Sequence, residues 1–261
     1  MRAPRTYRTE GVVLRYYNFG EADRILSLIT PDHGKLRVLA KGVRRPGSKL
    51  SGHLDLFCRS QLLIAKGQTL DVIAGASTIS SYLQVRQDLW RTSCAFYLLE
   101  LTDRLSEERL ENRPLYDLLV ECLAALERAR RPEVLLRYFD LHALDRSGFR
   151  PELRRCLVCR REIEPQVNRF GPQGVTCPDC PADMTSWPIS VDALKVLRFL
   201  QANPLNAALR FAPSPRVLGE VEGQLRRAIT AILEREMKST EFLSLVRSQT
   251  AESKIAPPLA R

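Results

Sequence analysis

The sequence predicts an α+β chain in several parts: a small amino-terminal β-barrel, then an α-helical domain interrupted by a cysteine-rich insert. Three observations carry this. Over residues 1–80 the apolar residues come in short runs separated by turn formers. From Tyr82 they recur near i, i+3/i+4 spacing. Residues 151–188 hold two Cys-x-x-Cys pairs and several prolines, with little helical pattern. The 261 residues, 44% hydrophobic and 27% charged, are enough for one or two packed domains and argue against disorder as the main state.

Taken in order, residues 9–15 form a short apolar stretch around Val12, Val13 and Leu14, followed by a turn at Asn18-Phe19-Gly20-Glu21. Residues 24–30 read as a strand. Pro31-Asp32-His33-Gly34 is a turn, and residues 36–40 return as the hairpin partner. Residues 54–65 and 70–78 complete five strands, with Lys66-Gly67-Gln68 as the last turn. Five short strands in this length suit the oligonucleotide/oligosaccharide-binding barrel, the OB-fold, with another small barrel or meander as the alternative.

The helical part runs in two pieces, 81–150 and 189–248. Leu89, Ala95, Phe96, Leu99 and Leu105 mark a first helix. Pro114 and Pro132 open two more, since proline is tolerated in a first turn. Gly148 is a stop signal. Ser190 is a cap for the next helix, and Ser214-Pro215 opens a long one reaching about Glu236. Residues 249–261 are polar, contain proline, and read as a flexible tail.

The net charge is +10, and residues 1–80 carry 13 basic against 6 acidic residues. A basic excess concentrated in one segment points to a polyanionic partner there. No run approaches the ~18 apolar residues of a membrane helix, and with no apolar stretch behind Met1-Arg2-Ala3-Pro4-Arg5 a secretory signal is not expected. Seven cysteines, an odd count, fit a closed disulfide framework poorly, so a reducing, cytoplasmic setting is expected. The phosphate-binding loop, the dinucleotide fingerprint and the nucleophile elbow are all missing. His142 falls on a helix stripe and reads as a partly buried imidazole. Catalytic residues are therefore expected to be absent, and the protein is read as non-enzymatic.

Cys156, Cys159, Cys177 and Cys180 have the arrangement C-x2-C-x17-C-x2-C. Two-residue spacing turns both thiolates of a pair toward one metal, and two such knuckles complete a tetrahedral site. Four soft thiolates with no open position suit one structural Zn2+. Redox pairs or plain core cysteines are the alternatives. Arg154, Arg155, Arg160 and Arg161 surround the first knuckle and would offset its negative charge.

Between Gly34 and Leu54 stand six basic residues and no acidic one: Lys35, Arg37, Lys41, Arg44, Arg45 and Lys49. Lys35 and Arg37, two apart, share one strand face, while Arg44, Arg45 and Lys49 lie in a Pro/Gly loop. Such a ribbon can follow a phosphate backbone without reading sequence; the bland alternative is a solvated strand face. Tyr7, Tyr16, Tyr17, Phe19 and Phe57 are the aromatic residues near it, candidates for base stacking or for core packing.

These residues also carry a resemblance. Glu10-Gly11-Val12-Val13-Leu14, Gly20-Glu21-Ala22-Asp23-Arg24, Thr30-Pro31-Asp32-His33-Gly34-Lys35 and Ala40-Lys41-Gly42 occur in order, followed by Ser48-Lys49-Leu50. Farther on come Ser147-Gly148-Phe149-Arg150-Pro151-Glu152-Leu153 before the first cysteine pair, and Lys238-Ser239 before Phe242-Leu243. Together they resemble the bacterial RecO recombination mediators over residues 6–247. Arg160 stands where that family often has glycine.

The resemblance implies an OB-fold domain and a helical domain with a zinc-ribbon-like insert. It implies binding of single- and double-stranded DNA, annealing of complementary strands in DNA repair, and a complex with RecR that helps load RecA onto DNA coated by single-strand-binding protein. It also implies that the helical domain receives the acidic tail of that coating protein, with Arg137 as the carboxylate anchor; a solvent-exposed helical arginine is the alternative for that residue. A zinc-containing OB protein that binds RNA or serves transcription is the competing reading.

Overall fold

The computed structural model describes residues 5–181 and 184–255. The amino-terminal strands are β1 (Thr6–Phe19), β2 (Asp23–Thr30), β3 (Gly34–Ala40), β4 (Arg59–Ala65) and β5 (Asp71–Ser80). They close a barrel in the order β1-β2-β3-β5-β4. Only β3 and β5 run parallel, through Val38↔Asp71 and Leu39↔Val72. That closed five-stranded order matches the expected OB-like barrel.

Closure depends on β1, which serves two neighbours. Residues from Thr6 to Val12 pair with β4, and those from Val12 to Phe19 pair with β2. A bulge between Val13 and Arg15 bends the strand between these tasks. Alternation then fills the barrel: Val13, Leu26, Leu28, Leu36, Val38, Leu62, Ile64 and Ile73 are all nearly fully buried in one cluster. β1 is longer than its apolar stretch suggests, because Tyr16, Tyr17, Asn18 and Phe19 continue the ladder opposite Leu26 to Asp23. The turn is therefore confined to residues 20–22, with Gly20 at φ +56°. Residues 54–58, expected as strand, instead form bends and turns, with Leu54 fully buried in the barrel cluster.

The helices are α1 (Leu83–Arg86), α2 (Leu89–Leu105), α3 (Arg113–Leu126), α4 (Pro132–Arg146), α5 (Val191–Ala202), α6 (Leu205–Arg210), α7 (Pro215–Leu233) and α8 (Lys238–Ile255). Side chains of Asp88, Asn112, Ser190 and Ser214 accept from the N–H three residues on, capping α2, α3, α5 and α7. Gly148, at φ +84°, follows the end of α4.

The chain divides into two compact units, residues 1–128 with 238–261, and residues 129–237. The first thus joins the barrel to α1–α3 and to α8 from the far end of the sequence. The second contains α4–α7 and a three-stranded sheet, β6 (Asn168–Gly171), β7 (Gly174–Thr176) and β8 (Trp187–Ile189), in the order β7-β6-β8. Period-3.6 patterning shows helices but not their partners, so the expected grouping of all helices into one domain differs from these units. The segment expected as tail from residue 249 is helical through Ile255, and its remainder lies outside the described residues.

Candidate nucleic-acid interface and thiolate centre

The basic loop after β3 is pinned to the turn between β1 and β2. The Asp23 carboxylate accepts from the Gly42 N–H at 2.7 Å, and the Ala22 carbonyl accepts from the Arg44 N–H at 2.9 Å. Val43, 2% exposed, anchors the loop in the barrel core. Between these fixed points Lys41, Arg44, Arg45 and Lys49 stand exposed, as does Arg37 on β3. No ion pair engages any of these five among the described residues. An exposed cation without a carboxylate partner keeps its full charge for an incoming phosphate.

Lys35 is placed differently. Its ammonium donates to the Asp103 backbone carbonyl at 2.7 Å and sits 3.5 Å from the carboxylate of the same residue on α2. Arg15 pairs with that carboxylate at 3.0 Å, and the Ser27 hydroxyl donates to it at 3.1 Å. Asp103 therefore already balances Lys35, which the spacing had grouped with Arg37.

Arg15, Tyr17 and Phe19 alternate along β1 and so share one face. Tyr17 and Phe19 are each about half exposed, 52% and 53%. Arg15 donates to the Tyr17 hydroxyl, and Arg24 lies 3.9 Å over the Tyr16 ring. Two aromatic faces thus flank the turn that holds the basic loop. The other aromatic candidates have internal tasks: Tyr7 donates to Asp71 at 2.9 Å, and Phe57 is 2% exposed. Arg15 stands where the predicted first strand ends, so its face with Tyr17 and Phe19 is not evident from that boundary, and the stacking of Arg24 on Tyr16 crosses between strands. The signal for the shared face is the Arg-x-Tyr-x-Phe alternation.

In the second unit the four candidate thiols do converge. The sulfurs of Cys156, Cys159, Cys177 and Cys180 all lie within 4.8 Å of one another. Cys159 and Cys177 are 3.8 Å apart. A tetrahedron with metal–sulfur bonds of ~2.3 Å has edges of ~3.8 Å, so this donor set fits a closed tetrahedral metal site. The knuckle is shaped by backbone bonds: Cys156 N–H to the Arg161 carbonyl at 2.9 Å, and Arg160 N–H back to the Cys156 carbonyl at 3.0 Å. Arg160 takes φ +63°, a conformation that favours glycine.

Burial acts to raise the Cys156 thiol, but the N–H groups of Cys177, Cys159 and Val158 outweigh it and hold the thiol down at about 6. Arg161 lowers Cys159, donating to its sulfur at 3.5 Å while pairing with Asp179 at 3.1 Å. Cys180 is pushed up to about 12 by its bond with Cys177 and by burial. Once one thiolate forms, the remaining thiols resist ionisation beside it. A cation at the centre removes that resistance.

Two further candidates have internal roles. His142 is hydrogen-bonded at 3.0 Å to the Leu200 carbonyl, and burial lowers its pKa, so it is a neutral packing residue. Arg137, expected to anchor a carboxylate from outside, is only 4% exposed. Its guanidinium lies 3.0 Å from Asp140 and 3.8 Å from Glu222, so the unit supplies its own carboxylates. Among the described residues no helix is long and apolar enough to cross a membrane.

The chain is similar to known proteins along most of its length. The family described as "Recombination protein O N terminal" matches residues 1–82, and that described as "Recombination protein O C terminal" matches residues 86–241. A protein of Dehalococcoides mccartyi named "DNA repair protein RecO" is 39% identical over 249 residues, covering 95% of this chain and 98% of the relative. Relatives of the same name from a Roseiflexus species and from Symbiobacterium thermophilum are 38% and 36% identical. They cover 95% and 93% of this chain, and 89% and 98% of their own lengths.

Proposed function

The chain belongs to the RecO family of DNA repair proteins, and from that premise we propose that it binds single- and double-stranded DNA, anneals complementary strands, and acts without being an enzyme. One observation carries the proposal: Lys41, Arg44, Arg45 and Lys49 form a loop that is fixed in position, free of acidic partners and set beside exposed Tyr17 and Phe19. Annealing asks for no catalytic group. Two phosphate backbones repel, a basic surface lowers that repulsion, and base pairing supplies the free energy. Arg37 extends the cationic track along β3. Lys35 contributes by holding α2 to the strand.

Within the same proposal, working in the cytoplasm with RecR, the protein helps load RecA onto DNA coated by single-strand-binding protein. For the acidic tail of that coating protein, Arg137 would have to exchange Glu222 for the incoming carboxylate. One Zn2+ held by Cys156, Cys159, Cys177 and Cys180 would fix the two knuckles of the second unit and supply no chemistry to annealing. The test is annealing of complementary oligonucleotides, bare and precoated with single-strand-binding protein, in the absence of ATP. Acceleration by the purified chain in both settings is expected. No acceleration, or tighter binding of RNA than of DNA with the same sequence, would sink the proposal in favour of an RNA-binding role.

A further inference from the structure

The barrel carries a concave feature at the end of β3 away from the basic loop. A cavity of about 620 Å³ opens there, walled by Tyr7, His33, Lys66, Asp71, Arg109 and Glu111, with Asp32, which pairs with Arg113 at 3.4 Å, at its edge. That volume lies within the range that encloses a small organic ligand. Strand β3 separates it from Lys41 by seven residues, ~20 Å of extended chain.

The walls are fixed. Tyr7 and His33 meet edge to face with ring centroids 4.8 Å apart. Asp71 is saturated: it accepts from the Tyr7 hydroxyl at 2.9 Å and the Gly67 N–H at 3.1 Å, and lies 3.4 Å from Arg109. Arg109 is held by its own N–H to the Lys35 carbonyl at 2.8 Å and adopts φ +62°, an unusual conformation for a side chain of its size. The segment carrying it passes so close to Gly34 that a Cβ there would meet the Leu110 carbonyl oxygen at 2.0 Å. An arginine at positive φ that lines a cavity and pairs with Asp71, with a glycine kept bare beneath its strap, is a placement the fold must hold against local preference.

The chemistry of the wall is mixed. Lys66 and Glu111 are exposed, and neither has an ion-pair partner among the described residues. A cavity with cations alone would suit phosphate. One that offers a carboxylate acceptor, cationic donors and apolar ring surface suits a planar group with an amine beside a carbonyl. We propose that this cavity takes one unpaired nucleobase carrying both an exocyclic amine and a carbonyl, cytosine or guanine, from a bound single strand. Glu111 accepts from the amine, Lys66 and Arg109 donate to the carbonyl, and the Tyr7–His33 pair supplies apolar ring surface. The inference rests on the DNA-binding reading above and adds a base subsite to it.

The test uses the full chain and thymidine oligonucleotides bearing one internal cytosine, guanine, adenine or abasic position. Cytosine and guanine are expected to bind roughly tenfold tighter than the abasic strand, with adenine gaining less. Glu111→Met and Lys66→Met, both at exposed positions, should abolish that preference while leaving affinity for the all-thymidine strand unchanged. Normal affinity with no base preference, or a preference that both variants retain, overturns the cavity assignment alone. Failure of the unsubstituted protein to bind any of the strands overturns the DNA reading beneath it.

Discussion

Lys35 and Lys41 lie six positions apart in one basic run, yet their surroundings separate their roles. Lys41, Arg44 and Arg45 are exposed without carboxylate partners, whereas Lys35 touches both the carbonyl and the carboxylate of Asp103. Changing Lys41, Arg44 and Arg45 together to glutamate should weaken DNA binding. The slope of log affinity against log salt for single strands should flatten by about 2, from a loss of ~0.7 per phosphate contact. Lys35→Met should leave that slope alone and cost stability instead, because Asp103 would keep only Arg15 and Ser27. A penalty of ~1–3 kcal/mol for an undercompensated buried group corresponds to a melting point lowered by at least ~2 °C. A salt titration and a thermal scan on the same two proteins separate these outcomes. The basic run was readable from composition, but the partner of Lys35 lies 68 residues away, and nothing local in the sequence shows a contact of that separation. Arg137 differs, since Asp140 stands one helical turn along and that pairing could have been read.

Strands and helices were legible where one face is apolar, as in the Leu26/Leu28 and Leu36/Val38 alternation or the capped starts at Ser190 and Ser214. Where the chain goes next was not, and α8 is the clearest case. It follows the second unit in sequence but belongs to the first. Its starting N–H groups are met by Glu100 on α2, which accepts from Lys238 at 3.2 Å and Ser239 at 2.7 Å. Burial works to raise the Glu100 carboxyl, but these bonds, with Arg104 beside it, outweigh burial and hold it below its usual value of 4.5. A depressed carboxylate contributes stability in full above its unfolded value, and that contribution is lost as pH falls through the folded value. Glu100→Gln should therefore lower the melting point near neutrality by ~2–4 °C, as for a lost helix cap of ~1 kcal/mol. The gap between variant and parent should narrow as pH falls below the usual carboxylate value and close once it passes the lowered folded value. A gap that stays constant down to acid pH would show that Glu100 does not act through its charge.

At the scale of the whole chain, the cationic loop and the thiolate cluster fall in different compact units, and this decides what metal removal should do. Cys156, Cys159, Cys177 and Cys180 join two knuckles 17 residues apart, and the sheet β7-β6-β8 spans only ten hydrogen-bonding residues of short strands around them. Sheets so small are marginal without a staple. The barrel has its own closed ladder and its own buried core, with no thiol of the cluster in it. Stripping metal with a chelator should therefore expose amides of residues 151–189 to rapid hydrogen exchange, while β1–β5 keep their protection. Affinity for a single-stranded oligonucleotide at fixed salt should change less than twofold, because the proposed phosphate-binding loop is fixed by Asp23, Ala22 and Val43 of its own unit. Parallel loss of barrel protection, or of DNA affinity, on chelation would assign the thiolate centre a part in DNA binding beyond holding its own knuckles together.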